Sequence, residues 1–319
     1  MSVIPSAHAA TVLTQEDRTA LRELFAQVEF DRPLAPYTSW KIGGAADACI
    51  AVQTQSELAG IMRWCFRRKA PWFILGSGSN LLIGDGGIRG LVLRLTGEFT
   101  RISVHTAQNV TVEAGASASM AALTAKAASA GALGIASLAG IPGSVGGSLR
   151  MNAGTDREMG EFVRDVWVQT PRKPDAHSVS PQYYYRHTSL AHDAVVSRVT
   201  LQFARGDAKA VRTQMQGRLV RRKHSQPIAL PNAGSCFRNP PAEVAARLIE
   251  AVGAKGWREG GAEVSPLHAN FINNVANASA KDVASLLARV RRAVFDKFGV
   301  PLQLEVHLVG VFTDVGDDR

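Results

Sequence analysis

An α+β fold follows from two features of this 319-residue chain. Apolar residues recur with both helical and strand periods, and the two kinds of segment do not follow the regular βαβ alternation of a parallel sheet. A third feature marks where chemistry is expected. Residues 139–154, AGIPGSVGGSLRMNAG, break both periods. They are too small to form a core, yet Ile141, Val145, Leu149 and Met151 are spaced through them as anchors. A flexible linker would carry Ser, Thr and charge instead. The stretch reads as a rigid loop whose backbone approaches a ligand closely.

In chain order, residues 15–28 are expected as an amphipathic helix with Leu21, Leu24, Phe25 and Val28 inward. A turn over 37–44 closes on a Gly pair before a strand at 48–52. Residues 54–69 read as a helix whose last-turn cations complement its dipole. A short buried strand at 72–75 runs into GSGSN, and another strand follows at 90–95. Residues 104–112 alternate like sheet, and 119–130 are an alanine-rich helix. After the 139–154 loop come strands at 163–170 and 195–203, a basic helix at 208–224 and a polar loop, PNAGSCFRNP, at 231–240. A helix is expected at 242–252 and a strand within 265–274. Ser279 to Asp282 resembles a capping box opening a long helix to Phe298. Residues 302–310 read as a strong strand with Glu305 in its middle.

The length exceeds what one core usually serves, so two or three domains are expected. Hydrophobic residues are 46% and charged residues 20% of the chain, the balance of a soluble globular protein. A net charge of +9 comes from dispersed Lys and Arg, which suits small anions such as nucleotides better than a nucleic-acid track. Cys49, Cys65 and Cys236 form neither a CxxC pattern nor an even disulfide set, so a reducing compartment and no metal site are expected. Residues 6–10 (SAHAA) lack the basic and apolar regions a signal peptide needs. Residues 127–149 are too rich in glycine to span a membrane.

Runs of backbone N–H in Gly-rich turns bind phosphate, so Gly76 to Asn80 and Gly140 to Gly147 are candidate anion loops. Alone, GSGSN is a weak signal, since hairpin turns also look like this. Arg186 follows three tyrosines, Ser235 sits in a Gly-flanked loop, and Glu305 interrupts an apolar run. A carboxylate there is costly unless paired, protonated or functional. Each alone reads equally well as an ordinary surface or turn residue.

Taken in order, IGG (42–44), GSGSN (76–80), GIPGSVGG (140–147), MNAG (151–154), YRHT (185–188), AGSCFRNP (233–240), HANFINN (268–274) and LEVHLVG (304–310) resemble the UDP-N-acetylenolpyruvoylglucosamine reductase family, over about residues 36–310. The resemblance implies a vanillyl-alcohol-oxidase (PCMH) type FAD-binding domain in two α+β lobes, 1–95 and 96–215. A C-terminal α+β substrate-binding domain, 216–319, completes it. It implies non-covalent FAD held by Ile42, Gly43, Gly76, Ser77, Gly78, Ser79, Asn80, Gly140, Ile141, Pro142, Gly143, Ser144, Gly146, Gly147 and Asn152. The implied reaction is peptidoglycan precursor synthesis in the cytoplasm. NADPH reduces the flavin, and flavin N5 passes hydride to UDP-N-acetylglucosamine-enolpyruvate, giving UDP-N-acetylmuramate.

By the same resemblance Arg186, Ser235 and Glu305 are catalytic. Arg186 stabilises an enolate and Ser235 donates the proton; Glu305 either orients the site or re-protonates Ser235. Tyr185, Lys223, Asn239 and His268 fall at substrate-binding positions. Thr188 replaces a usual serine. The short interval between Arg186 and Ser235 matches the subtype without an extra tyrosine-bearing loop. A monomer, without nucleic-acid partner or membrane insertion, is expected. The alternatives are another FAD-dependent oxidase or dehydrogenase of this flavin class, and a basic nucleotide- or nucleic-acid-binding protein. The first leaves residues 233–240 and 268–274 unexplained, and the second leaves the flavin loops and the set of Arg186, Ser235 and Glu305 unused.

Overall fold

The computed structural model describes residues 13–25 and 27–312; the rejected signal at 6–10 lies outside them. The chain divides into two compact units, 1–49 with 78–92 and 223–319, and 50–77 with 93–222.

The first unit opens with the helix Gln15–Leu24, started by a capping box between Thr14 and Asp17. It stops four residues short of the expected end, because Phe25 is already extended and Val28–Pro33 forms a strand with alternating burial. Val28 is β-branched, and the alternation from Val28 onward outweighs its place on the helical stripe. Arg18 and Asp31 join helix to strand through an ion pair at 2.9 Å. Strands Val28–Pro33, Ala45–Val52 and Ile88–Leu95 are neighbours in that order.

A separate core in this unit gathers Trp40, Leu82, Phe237, Ile249, Val264, Ile272, Leu286, Val290 and Leu302. Trp40 lies fully inside it, donating its indole N–H to Ile272 O at 2.7 Å, as a buried indole must find an acceptor. Around it stand the antiparallel strands Arg258–Glu259, Ala262–Val264 and Ile272–Asn274, and the parallel pair Leu81–Ile83 with His307–Val309. The helix Ala280–Phe298 carries the expected capping box of Ser279 and Asp282 and ends at Gly299, φ 67°.

That helix has a second cap from far along the chain. Asp85 accepts from Ala280 N at 2.9 Å and from Lys281 N at 3.0 Å. A carboxylate on two first-turn N–H groups satisfies orphan donors and complements the dipole. Asp85→Ala is expected to lower stability by about 1 kcal/mol. The check is urea unfolding, where the midpoint falls at unchanged slope.

Two expected strands are shorter than the periodicity suggests. Within 265–274 only Ile272–Asn274 pairs; Ser265 to Phe271 is a loop closed by Ser265 N on Phe271 O at 2.8 Å. Within 302–310 only His307–Val309 is strand, and Glu305 lies in the bend before it. The backbone N–H of Glu305 turns to Cys236 O, 2.8 Å, so the alternation there does not become a strand ladder.

The second unit is built on a five-stranded antiparallel sheet, in the order Ile102–Thr106, Asn109–Gly115, Val195–Ala204, Val163–Gln169, His177–Val179. The single alternating run expected at 104–112 is two strands of a hairpin, with Thr106 opposite Val110. Alternation continues across the two-residue connection, so the pattern alone did not reveal the turn. The helix Met120–Ser129 packs on Asn109–Gly115, and Val145–Arg150 packs on Val195–Ala204. The helix Val145–Arg150 corrects the expectation of loop throughout 139–154. Val145 and Leu149, four apart, are fully buried. Their burial offsets the roughly 1 kcal/mol that each glycine costs a helix.

Candidate active site

In the first unit Ser235 sits on a loop gripped from two sides. Asn270, 4% exposed, accepts from Phe237 N at 2.9 Å and donates to Phe237 O at 2.8 Å, while Asn270 O accepts from Cys236 N at 2.8 Å. On the other side Glu305 N donates to Cys236 O and Arg238 N to Gln303 O. The residue before Ser235 is Gly234 at φ 76°, a left-handed turn. Ser235 is half-buried, and its hydroxyl makes no hydrogen bond among the described residues.

Ser235 and Glu305 therefore come together through the backbone pairing of their neighbours. The GSGSN loop joins them: Asn80 donates its amide to Glu305 O at 3.0 Å, and His307 N donates to Asn80 O at 3.1 Å. Gly78 is needed where it stands. Its φ is 59°, and a Cβ there would lie 2.3 Å from Tyr37 O. The turn before Ile42 is locked by Thr38, whose hydroxyl donates to Ile42 O at 2.8 Å and accepts from Ile42 N at 3.1 Å. Gly43 sits against Ile83.

His268 is half-buried. Its Nδ1 accepts from Asn270 N at 3.3 Å, which leaves the ring proton on Nε2. Burial lowers its pKa, so the neutral ring, an N–H donor, is the favoured form. Asn239 Oδ1 accepts from Ala245 N at 3.1 Å and so caps the helix Ala245–Ala251. Lys223 is exposed at the end of the helix Ala208–Ser225. Cys236 is fully buried, and desolvation pushes its thiol up to about 12; it stays protonated and packs as an apolar group.

In the second unit the glycine loops meet. A Cβ on Gly76 would lie 2.6 Å from Ser144 Oγ, so this approach requires glycine. Ser144 caps Val145–Arg150, and the N–H groups of Val145, Gly146 and Gly147 bond to Ala118 O, Ala116 O and Ser144 Oγ. Three donors that the sequence offered to a ligand are thus used within the chain. Positive charge comes instead from Arg222, whose Nη1 lies 3.4 Å from where a Cβ on Gly140 would stand. Burial depresses its pKa, and it has neither ion pair nor hydrogen bond among the described residues. A guanidinium stays charged in proteins, so this half-buried cation fits an anion such as a diphosphate. Its neighbour Lys223 drew notice in the sequence. The helical stripe shared by Leu219 and Arg222, both against Gly140, was the available signal.

Arg186 stands in the left-handed region, φ 56°, after the hairpin strand Tyr183–Tyr184. Its guanidinium lies 4.7 Å from the exposed Tyr185 ring, donates to Gly154 O at 3.2 Å and pairs with Glu158 at 3.5 Å. Asn152, 2% exposed, gives its amide to Glu158 Oε2 at 2.5 Å and to Tyr184 O at 3.0 Å, and accepts from Gly160 N at 2.8 Å. Its side-chain polar atoms are thus engaged within the protein. Glu158 carried no motif that would have singled it out.

Comparisons with known proteins bear on both units. Residues 46–170 match an FAD binding domain, and residues 226–309 match the C-terminal domain of UDP-N-acetylenolpyruvoylglucosamine reductase. The UDP-N-acetylenolpyruvoylglucosamine reductase of Moorella thermoacetica is 41% identical over 303 residues, 94% of this chain and 98% of the relative. Reductase 2 of Symbiobacterium thermophilum is 42% identical over 282 residues, covering 87% and 91%. The crystal structure of the Thermus caldophilus enzyme superposes with a TM-score of 0.76 at 34% identity, over 89% of this chain and 98% of that one. The α+β fold is thus a PCMH-type flavin-binding portion followed by the reductase's C-terminal domain. The chain belongs to the UDP-N-acetylenolpyruvoylglucosamine reductase family.

Proposed function

We propose that this protein reduces UDP-N-acetylglucosamine-enolpyruvate to UDP-N-acetylmuramate with non-covalent FAD and NADPH. The observation that carries the reading is the Ser235 loop, clamped by Asn270 and paired with the Glu305 segment inside the matched C-terminal domain. In the proposed division, residues 1–95 and 96–215 serve the flavin and 216–319 the substrate, in a cytoplasmic monomer of the shorter subtype. The three buried cysteines, none of them in a disulfide, fit a reducing compartment, and no described helix is long and apolar enough to cross a membrane.

FAD, when bound, supplies the hydride that adds to the vinyl terminus of the substrate. The residues proposed to hold it are the Gly76–Asn80 and Gly140–Gly147 loops, with Arg222 as counter-charge to the diphosphate. Charge then builds towards the substrate carboxylate, and Arg186 meets it with a planar, permanently protonated fork. Ser235 gives its hydroxyl proton to the carbon beside the carboxylate. A serine is a weak acid, so the transfer relies on a strongly basic enolate and a hydroxyl held in place. Glu305, brought beside the loop by its hydrogen bond to Cys236 O, restores that proton. Neutral His268 and Tyr185 are proposed at the substrate carboxylate, Lys223 and Asn239 at its diphosphate.

Anaerobic stopped-flow absorbance tests the reading. Bleaching of the yellow protein by NADPH, with recovery only on adding UDP-N-acetylglucosamine-enolpyruvate, is expected. Bleaching without recovery would point to another flavin oxidase or dehydrogenase, and a colourless protein that takes up no FAD would reject the proposal. For the cofactor residues, Arg222→Ala is expected to weaken FAD binding by roughly 10- to 100-fold, the range of a charge-assisted hydrogen bond. Titration of apoprotein with FAD, followed by flavin fluorescence, measures it. An unchanged Kd would remove Arg222 from the site.

A further inference from the structure

We infer that Glu158, held by Asn152, is a positioning residue that aims Arg186 at the developing charge. The inference rests on the catalytic role proposed above for Arg186 and extends it to two residues to which that proposal gives no catalytic part.

The reasoning begins with the flexibility of arginine. A guanidinium on four rotatable bonds loses rotamer entropy when fixed, and catalysis gains only if that loss precedes the reaction. Here three contacts fix it beforehand. Glu158 Oε1 takes Nη1 at 3.5 Å, Gly154 O takes Nη2 at 3.2 Å, and the Tyr185 ring lies 4.7 Å away. The first two hold the edge formed by the terminal nitrogens, which sets the plane of the group. Among these contacts Glu158 supplies the charge.

A carboxylate can orient an arginine only if it is itself held. Asn152 does this with its amide at 2.5 Å from the other Glu158 oxygen. The same amide holds Tyr184 O, two residues before Arg186, and its carbonyl holds Gly160 N, two residues after Glu158. One buried side chain thus spans both ends of the ion pair. Asn152 and Arg186 both adopt positive φ, 42° and 56°. Such conformations persist in non-glycine residues where surrounding contacts impose them. Burial pushes the Glu158 carboxyl above its ordinary value and Arg186 pulls it back, as expected for a carboxylate whose main compensation is this partner.

A double-mutant cycle on the holoenzyme separates positioning from independent effects. The readout is the rate at which UDP-N-acetylglucosamine-enolpyruvate restores absorbance to the NADPH-bleached enzyme. Glu158→Ala is expected to slow it by about 10- to 100-fold, the scale of a misplaced catalytic group. Added to Arg186→Ala it should cost no more than about threefold further, since Glu158 acts through Arg186. Glu158→Gln keeps the shape but has a single acceptor oxygen, so an N–H faces either Asn152 or Arg186 and its rate should fall between alanine and wild type. Two results would overturn the inference: a wild-type rate in Glu158→Ala, or losses that multiply in the double variant. If Glu158→Ala fails to fold with FAD, the same cycle run with Asn152→Ala and Glu158→Gln decides by the same criterion. A wild-type rate in Arg186→Ala alone would instead reject the role of Arg186 and the proposed mechanism with it.

Discussion

Ser235→Ala is expected to slow the recovery of absorbance by UDP-N-acetylglucosamine-enolpyruvate by roughly 10²- to 10⁴-fold, while bleaching by NADPH keeps its wild-type rate. The asymmetry follows from the proposed chemistry, because only the substrate step needs a proton on carbon. The structure makes the variant clean. The loop is held by Asn270 through the backbone of Cys236 and Phe237 and by Glu305 N on Cys236 O, contacts that do not involve the serine hydroxyl. Flavin content and melting temperature should therefore be unchanged. Equal loss in both half-reactions would show that Ser235 supports the site generally and is not its proton donor.

Arg186→Ala is expected to lower kcat for the same half-reaction by about 10²- to 10³-fold, the scale seen when a group aimed at developing charge is removed. Arg186→Lys keeps the charge but loses the fork that engages Glu158 and Gly154 O together. Its rate should fall between alanine and wild type. Measured as kcat against KM, the loss should lie mainly in kcat, since the charge that Arg186 meets exists only as the reaction proceeds. A change confined to KM would make Arg186 a substrate-binding residue only.

Much of the helical framework was legible from local pattern. The helix Gln55–Arg68 starts at Thr54 and the helix Ala280–Phe298 at Ser279, as their caps indicate, because a side chain three residues from its acceptor fixes a terminus locally. Where alternation was the only signal, the reading was less secure. Around Glu305 the apolar alternation of the sequence does not become a strand, since the backbone pairs irregularly with Cys236 and Asn80. At Val145–Arg150, glycine content argued for a loop, and packing of Val145 and Leu149 made a helix.

The candidate site divides along the same line. The glycines and the order of the eight motifs are properties of the chain, so the family could be recognised from them and the comparisons bear it out. Arg222 and Glu158 belong to no such signal, and Asn270 lies in the HANFINN motif without a role that the motif itself reveals. An arginine in a basic helix, a glutamate in a polar turn and an asparagine beside a histidine look ordinary until folding gives each its neighbours. Arg222 then has Gly140 and, among the described residues, no counter-charge, and Glu158 has Arg186 and Asn152. Asn270 has both backbone groups of Phe237. Local propensity and small-residue loops are written in short stretches of sequence. Pairing across 28 residues, as for Glu158 and Arg186, or 33, as for Asn270 and Phe237, depends on which surfaces the packed core brings together.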